Sequence, residues 1–294
     1  MSQTIAFIGS GNIGRTLARL AVDAGLDVVL SNSRGPETLA DVVAELGDDA
    51  RAATPAEAAR ATGLIVVSLP FHAYDKLPAD ALAGRTVIDT MHYFPERDGR
   101  IDDLEERRTT SSELLQRHLS GSHVVKTLGN MDFLRLYGSA RPSGHPERSA
   151  LPVTGDDAKA KAKVVRFMDT LGYDALDVGS LADSWRHEAG TPINVLPYVG
   201  EPPKGMTQEQ AHEWMFNGPS AVVSADRVKE LTGQATRPHR PRRPLPGGPL
   251  PGRPLTRPHP DAPGTGQGGP GAPVRPWQGG TRTRKSAHRT EPAG

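Results

Sequence analysis

Cysteine is absent from the 294-residue chain, which excludes disulfides, thiolate metal sites and a cysteine nucleophile. No apolar run approaches the roughly 20 residues that a bilayer-spanning helix needs. The most apolar stretch, residues 64–69, is far shorter. The start, Met1-Ser2-Gln3-Thr4-Ile5, has neither a basic leader nor an apolar one, so a cytoplasmic protein without a membrane partner is expected. The sequence also lacks an HExxH string, a Ser/His/Asp set and paired carboxylates at convincing spacing. No metal site and no hydrolytic machinery are therefore expected.

Charge is nearly balanced overall, at +1, but the balance averages two unlike segments. From Arg237 to Gly294 the chain holds 14 Pro and 11 Gly, and its local net charge is +9. The first 236 residues carry −8. An acidic body lacks the clustered cations that phosphate backbones require, so nucleic acid is not expected as its partner. The tail, with its Pro244-Leu245-Pro246-Gly247-Gly248-Pro249 run, holds too few large apolar residues to offset the entropy of ordering it, and disorder is expected. Four readings stay open for it: a basic arm, a proline-rich ligand, an idle extension, or out-of-frame translation of GC-rich DNA.

Ahead of the tail, apolar strand runs alternate with helix signals. Strands are expected at 4–8, 27–31, 64–68, 86–89 and 124–127, with a second group at 151–154 and 174–178. Ile13, Leu17, Leu20, Ala21 and Ala24 recur at helical spacing up to Gly25, and Pro36 precedes a second helix at 38–46. Thr54-Pro55-Ala56-Glu57 is a capping box with proline at the first helical position, and Thr110 with Glu113 forms another box. Asp156 is expected to cap a helix carrying Val164, Phe167, Met168 and Leu171, while Thr207 and Ser224 start two late helices, the second ending at Gly233. Strand–helix alternation predicts an α/β fold, a Rossmann-type doubly wound parallel sheet. The expected division is a dinucleotide-binding domain over 1–141, a small C-terminal α/β domain over 150–235 and the tail over 236–294.

Gly9-Ser10-Gly11-Asn12-Ile13-Gly14 is a GxGxxG string. Alone it says little, because chance yields roughly 0.4 such strings in a chain so rich in glycine. Gly264-Thr265-Gly266-Gln267-Gly268-Gly269 fits the same pattern inside the tail. The first match differs in its context, since it follows a strand and opens an amphipathic helix, where backbone amides can meet a pyrophosphate. An NAD site usually places Asp or Glu about 20 residues further on. Here the positions read Ser31-Asn32-Ser33-Arg34, a hydroxyl and a guanidinium suited to a 2′-phosphate, which favours NADP. Ser68-Leu69-Pro70-Phe71-His72 ends the strand at 64–68, where Leu69 and Pro70 can line the nicotinamide side. His72 reads equally as a ligand contact or as the start of a helix.

These residues resemble the NADPH-dependent F420 reductases, also called coenzyme F420-dependent NADP oxidoreductases. The likeness runs from the glycine loop through Ser31-Asn32-Ser33-Arg34-Gly35, Ser68-Leu69-Pro70, Tyr93-Phe94-Pro95-Glu96-Arg97-Asp98-Gly99 and Val125-Lys126-Thr127 to Gly155-Asp156-Asp157. It implies that Gly9 belongs to the cofactor site, that Ser10, Gly11, Asn12 and Ile13 cradle the pyrophosphate, that Ser33 and Arg34 hold the 2′-phosphate, and that Leu69 and Pro70 meet the nicotinamide end. It implies hydride transfer between NADPH and coenzyme F420, and suggests a homodimer. Two positions depart from the family pattern: Lys126-Thr127-Leu128-Gly129 stands where members commonly have Lys-Ala-Phe-Asn, and Met91-His92 where they have an Asn before the tyrosine. Hydride transfer to a deazaflavin needs no lone catalytic acid, because solvent can supply the ring proton. Reduction of an imine or ketone would need a donor, for which His92, Tyr93 and Lys126 are candidates. A further alternative is an NADPH-binding redox sensor without turnover. Asp183-Ser184-Trp185-Arg186-His187-Glu188 reads as a solvated, partly packed turn or as an acceptor or subunit contact.

Overall fold

Every second residue of the inner strands faces the same way, and the sheet is covered on both sides. In β1 (Thr4–Ile8), Ile5 and Phe7 join one hydrophobic cluster, and Ala6 and Ile8 the other. In β4 (Leu64–Val67), Leu64 and Val66 divide from Ile65 and Val67 in the same way. Continuous apolar runs are what two covered faces require. The first cluster takes Leu17 from α1 (Asn12–Asp23), Val164 from the helix Ala158–Leu171 and Val228 from the helix Ala225–Gln234. The second takes Ala58 and Ala59 from α3 (Pro55–Ala61) and Leu115 from the helix Ser111–His118.

The computed structural model describes residues 3–200 and 203–237. They form one eight-stranded sheet in the order β3-β2-β1-β4-β5-β6-β7-β8, with β2 at Asp27–Ser31, β3 at Ala50–Ala52, β5 at Thr86–Asp89, β6 at His123–Lys126, β7 at Ala150–Gly155 and β8 at Asp174–Gly179. The Rossmann-type reading holds through β6, where all pairs are parallel. The chain order reverses about β1, between β2 and β4. Open α/β sheets bind ligands at the carboxyl ends of the strands flanking such a point.

Several local expectations shift. Strand β7 runs antiparallel to β6, through Val125↔Gly155 and Lys126↔Thr154, since an apolar run carries no information about direction. Strands β7 and β8, expected in a separate small domain over 150–235, extend the same sheet, and all described residues fall in one compact unit. Strand β3, only Ala-Arg-Ala, has no readable pattern. The helix Ala158–Leu171 is capped by Asp157, which accepts from the Ala160 amide at 2.7 Å; Asp156 instead accepts from the Leu181 amide. The last helix passes through Gly233 to Gln234. The boxes at Thr54 and Thr110 form as expected, and Thr207 starts its helix as expected, with a box to Gln210. Apart from Thr236 and Arg237, the tail read over 236–294 lies outside the described residues. Among the described residues no helix is long and apolar enough to cross a membrane.

Candidate cofactor cleft and active site

The turn from β1 into α1 depends on two glycines. Gly9 has φ +112°, and a Cβ there would overlap the Ser68 carbonyl oxygen at the end of β4. A Cβ on Gly14 would overlap the Gly9 carbonyl. These two let the loop, helix and neighbouring strand close on one another. Gly11 differs, because its φ of −72° is ordinary and nothing lies within 4 Å of a Cβ placed on it. The space above Gly11 opens on the start of α1, which no side chain caps and where no acidic residue sits in the first turn. Free amides and the positive end of the helix dipole suit this space to a pyrophosphate.

Asn32 ties this loop to the end of β2. Its Oδ1 accepts from the amides of Arg34 and Gly35 at 2.9 and 3.0 Å, and its Nδ2 donates to Thr38 Oγ1 at 2.9 Å and more weakly to Ser10 Oγ at 3.4 Å. The buried amide thus shapes a short loop that carries Ser33 and Arg34 exposed at its tip. A cleft of about 480 Å³ runs along these segments, lined by Gly9, Ser10, Gly11, Ser33, Arg34, Leu69 and Pro70 among others. The structure therefore brings together seven of the nine residues singled out in the sequence, with Asn12 and Ile13 following in the first turn of α1. His72 and Lys76 line the cleft too, and among the described residues no Asp or Glu does.

Residues 4–93 match the family described as NADP oxidoreductase, coenzyme F420-dependent. The resemblance read from the glycine loop onward is borne out, in that these residues are similar to an NADP-dependent oxidoreductase family. It is 25% identical to hypothetical protein SMa0349 from Sinorhizobium meliloti, with a TM-score of 0.58 over 66% of this chain and 94% of that one. It is also 25% identical to a candidate F420-dependent NADP reductase from Arthrobacter sp. FB24, with a TM-score of 0.53 over 62% and 87%. Metalloreductase STEAP3 of Rattus norvegicus is 29% identical over 195 residues, which are 66% of this chain and 37% of that longer protein.

Beyond the cleft, the carboxyl ends of β5 and β6 hold a buried charged group that sequence reading mostly missed. Lys126 is 2% exposed; its Nζ donates to the Met91 carbonyl at 2.6 Å and lies 3.5 Å from Asp89 Oδ2 and 4.0 Å from Glu188 Oε1. Asp89, fully buried, also accepts from the Met91 amide at 2.9 Å and from Ser112 Oγ at 2.7 Å. Ser111 donates to Glu188. Of these, only Lys126 stood out in the sequence. The Asp that ends the apolar run of β5 was the available signal for a second member. Glu188 and His187 lay in the segment read mainly as a packed turn, and their role depends on the folding of 181–188 against β6 and β7.

Two neutral histidines stand beside this cation. Burial, and then the Lys126 charge, push His92 down to about 4, and the same causes hold His187 well below its ordinary range. His92 Nε2 donates to the Gly129 carbonyl at 2.7 Å, and its Nδ1 is buried without a partner among the described residues. Tyr93 accepts from the Ile101 amide and donates to Glu105, each at 3.0 Å. The three candidate proton donors are thus held by other contacts: Lys126 by Met91 and Asp89, His92 by Gly129, and Tyr93 by Glu105.

The two departures from the family pattern also meet in space. A Cβ on Gly129 would stand 2.9 Å from His92 Nε2 and 2.8 Å from the Thr90 carbonyl. Leu128, just before it, is buried with φ +61°, a strained conformation for a leucine. Glycine at 129 is what room for the imidazole requires. Gly129→Asn alone should therefore destabilise the protein, and adding His92→Asn should recover part of the loss. A coupling of about 1–2 kcal/mol is expected in a double-mutant cycle followed by chemical denaturation. Strict additivity would show the two positions to be independent.

Proposed function

We propose that the protein transfers a hydride between NADPH and a deazaflavin acceptor of the F420 type. The observation that carries this reading is a cleft at the topological switch point in which Arg34 stands beside the glycine loop with no carboxylate in the lining. Ser10, Gly11, Asn12 and Ile13 would hold the pyrophosphate against the start of α1. Ser33 and Arg34 would hold the 2′-phosphate, and Leu69 and Pro70 would form the apolar wall beside the nicotinamide. Bound NADPH supplies the hydride; the chain supplies position and a dry surface.

The engagement of Lys126, His92 and Tyr93 supports an acceptor that needs no proton from the protein, which favours a deazaflavin over an imine or ketone. Mixing NADPH with oxidised F420 should bleach the deazaflavin absorbance in stoichiometric proportion. Arg34→Ala should weaken NADPH by about 2 kcal/mol, or roughly thirtyfold, with little change for NADH. Equal losses for the two coenzymes would remove Arg34 from the phosphate site. An unchanged absorbance at saturating NADPH would remove the deazaflavin.

A further inference from the structure

The short 3₁₀ segment Phe71–Lys76 follows β4 and forms the wall of the cleft to which Lys76 and His72 belong. Its start is anchored: the His72 amide and Nδ1 lie 3.3 and 3.1 Å from Asp98 Oδ1. Asp98 is itself a fixed anion. Its burial would raise its pKa, but hydrogen bonds from Arg97, the Phe94 amide and His72 outweigh that and lower it to about 2. At the other end of the segment Lys76 is exposed, lines the cleft and enters no ion pair among the described residues. Pro55, Ala73, Leu77 and Pro78 line the cleft as well, an apolar surface suited to a purine.

We propose that Lys76 is a second cation for the 2′-phosphate of NADP(H), acting with Arg34 across an adenine seated on that apolar surface. A phosphate monoester carries a charge of about −1.5 to −2 at neutral pH, so a single guanidinium leaves it under-compensated. In a body of net charge −8, two cations lining one cleft whose lining holds no carboxylate among the described residues match a dianion.

The inference rests on the NADP reading above, and calorimetry on the full chain separates the two. Wild type should bind 2′,5′-ADP more tightly than 5′-AMP. Lys76→Met should weaken 2′,5′-ADP and NADP⁺ about tenfold, leave 5′-AMP and NAD⁺ unchanged and flatten the salt dependence of 2′,5′-ADP binding. Lys76→Arg should restore most of the affinity. The exposed position predicts an unaltered melting curve for both variants. If Lys76→Met keeps the full preference for 2′,5′-ADP, or loses 5′-AMP equally, the role of Lys76 is overturned while the NADP reading stands. If wild type shows no preference for 2′,5′-ADP, both fall.

Discussion

Lys126→Met should destabilise the folded protein by about 3–5 kcal/mol, the cost of leaving a buried carboxylate without its counter-charge. Asp89 is fully buried and, among the described residues, would keep only the Met91 amide and the Ser112 hydroxyl as partners. Restoring neutrality should recover part of the loss, so Lys126→Met with Asp89→Asn should be more stable than Lys126→Met alone. Glu188→Gln should cost less, because Glu188 lies 4.0 Å from Nζ and its side chain is 20% exposed. Urea denaturation measures all three. A loss below about 1 kcal/mol for Lys126→Met would mean that the ammonium is not the counter-charge of Asp89. The same substitution also removes the hydrogen bond to the Met91 carbonyl.

Substitution of the loop glycines should separate folding from binding. Gly9→Ala meets both a left-handed φ and the Ser68 carbonyl, and β1 and β4 cannot pair around it without moving. A loss of about 3 kcal/mol or more, or no soluble protein, is expected. Gly11→Ala meets no atom within 4 Å and an ordinary φ, so its stability should change by less than about 1 kcal/mol. Its methyl group would instead project into the space proposed for the pyrophosphate, and NADPH affinity should fall about tenfold or more. Thermal melting and NADPH titration of both variants decide the matter. Equal melting temperatures for the two would show that the close approach of Gly9 to Ser68 is not a constraint on the fold.

The pattern GxGxxG assigns these two glycines no separate duties. Gly9 serves the contact with β4, a strand more than fifty residues away in sequence, whereas Gly11 serves the opening above α1. Asn32 shows the same limit, since the charge of its neighbour Arg34 is legible in the sequence while the contacts by which the Asn32 amide shapes their loop are not. Lys76 gives no local signal, and Asp98 stands out only as part of the Tyr93–Gly99 stretch, because each gains its meaning from a segment folded beside it.

Local chemistry alone therefore determined seven of the eight strands, the capping boxes, the glycine turn and the basic tip after β2, because apolar periodicity, capping and the missing acidic residue are properties of consecutive residues. Only the tertiary structure decided that β7 pairs antiparallel with β6 and continues one sheet, that Lys126 is neutralised by Asp89 and Glu188, and that His92 and Gly129 share one space. Strand direction, charge compensation and steric fit depend on which distant residues come within a few ångströms of one another, and burial is what turns that proximity into energy.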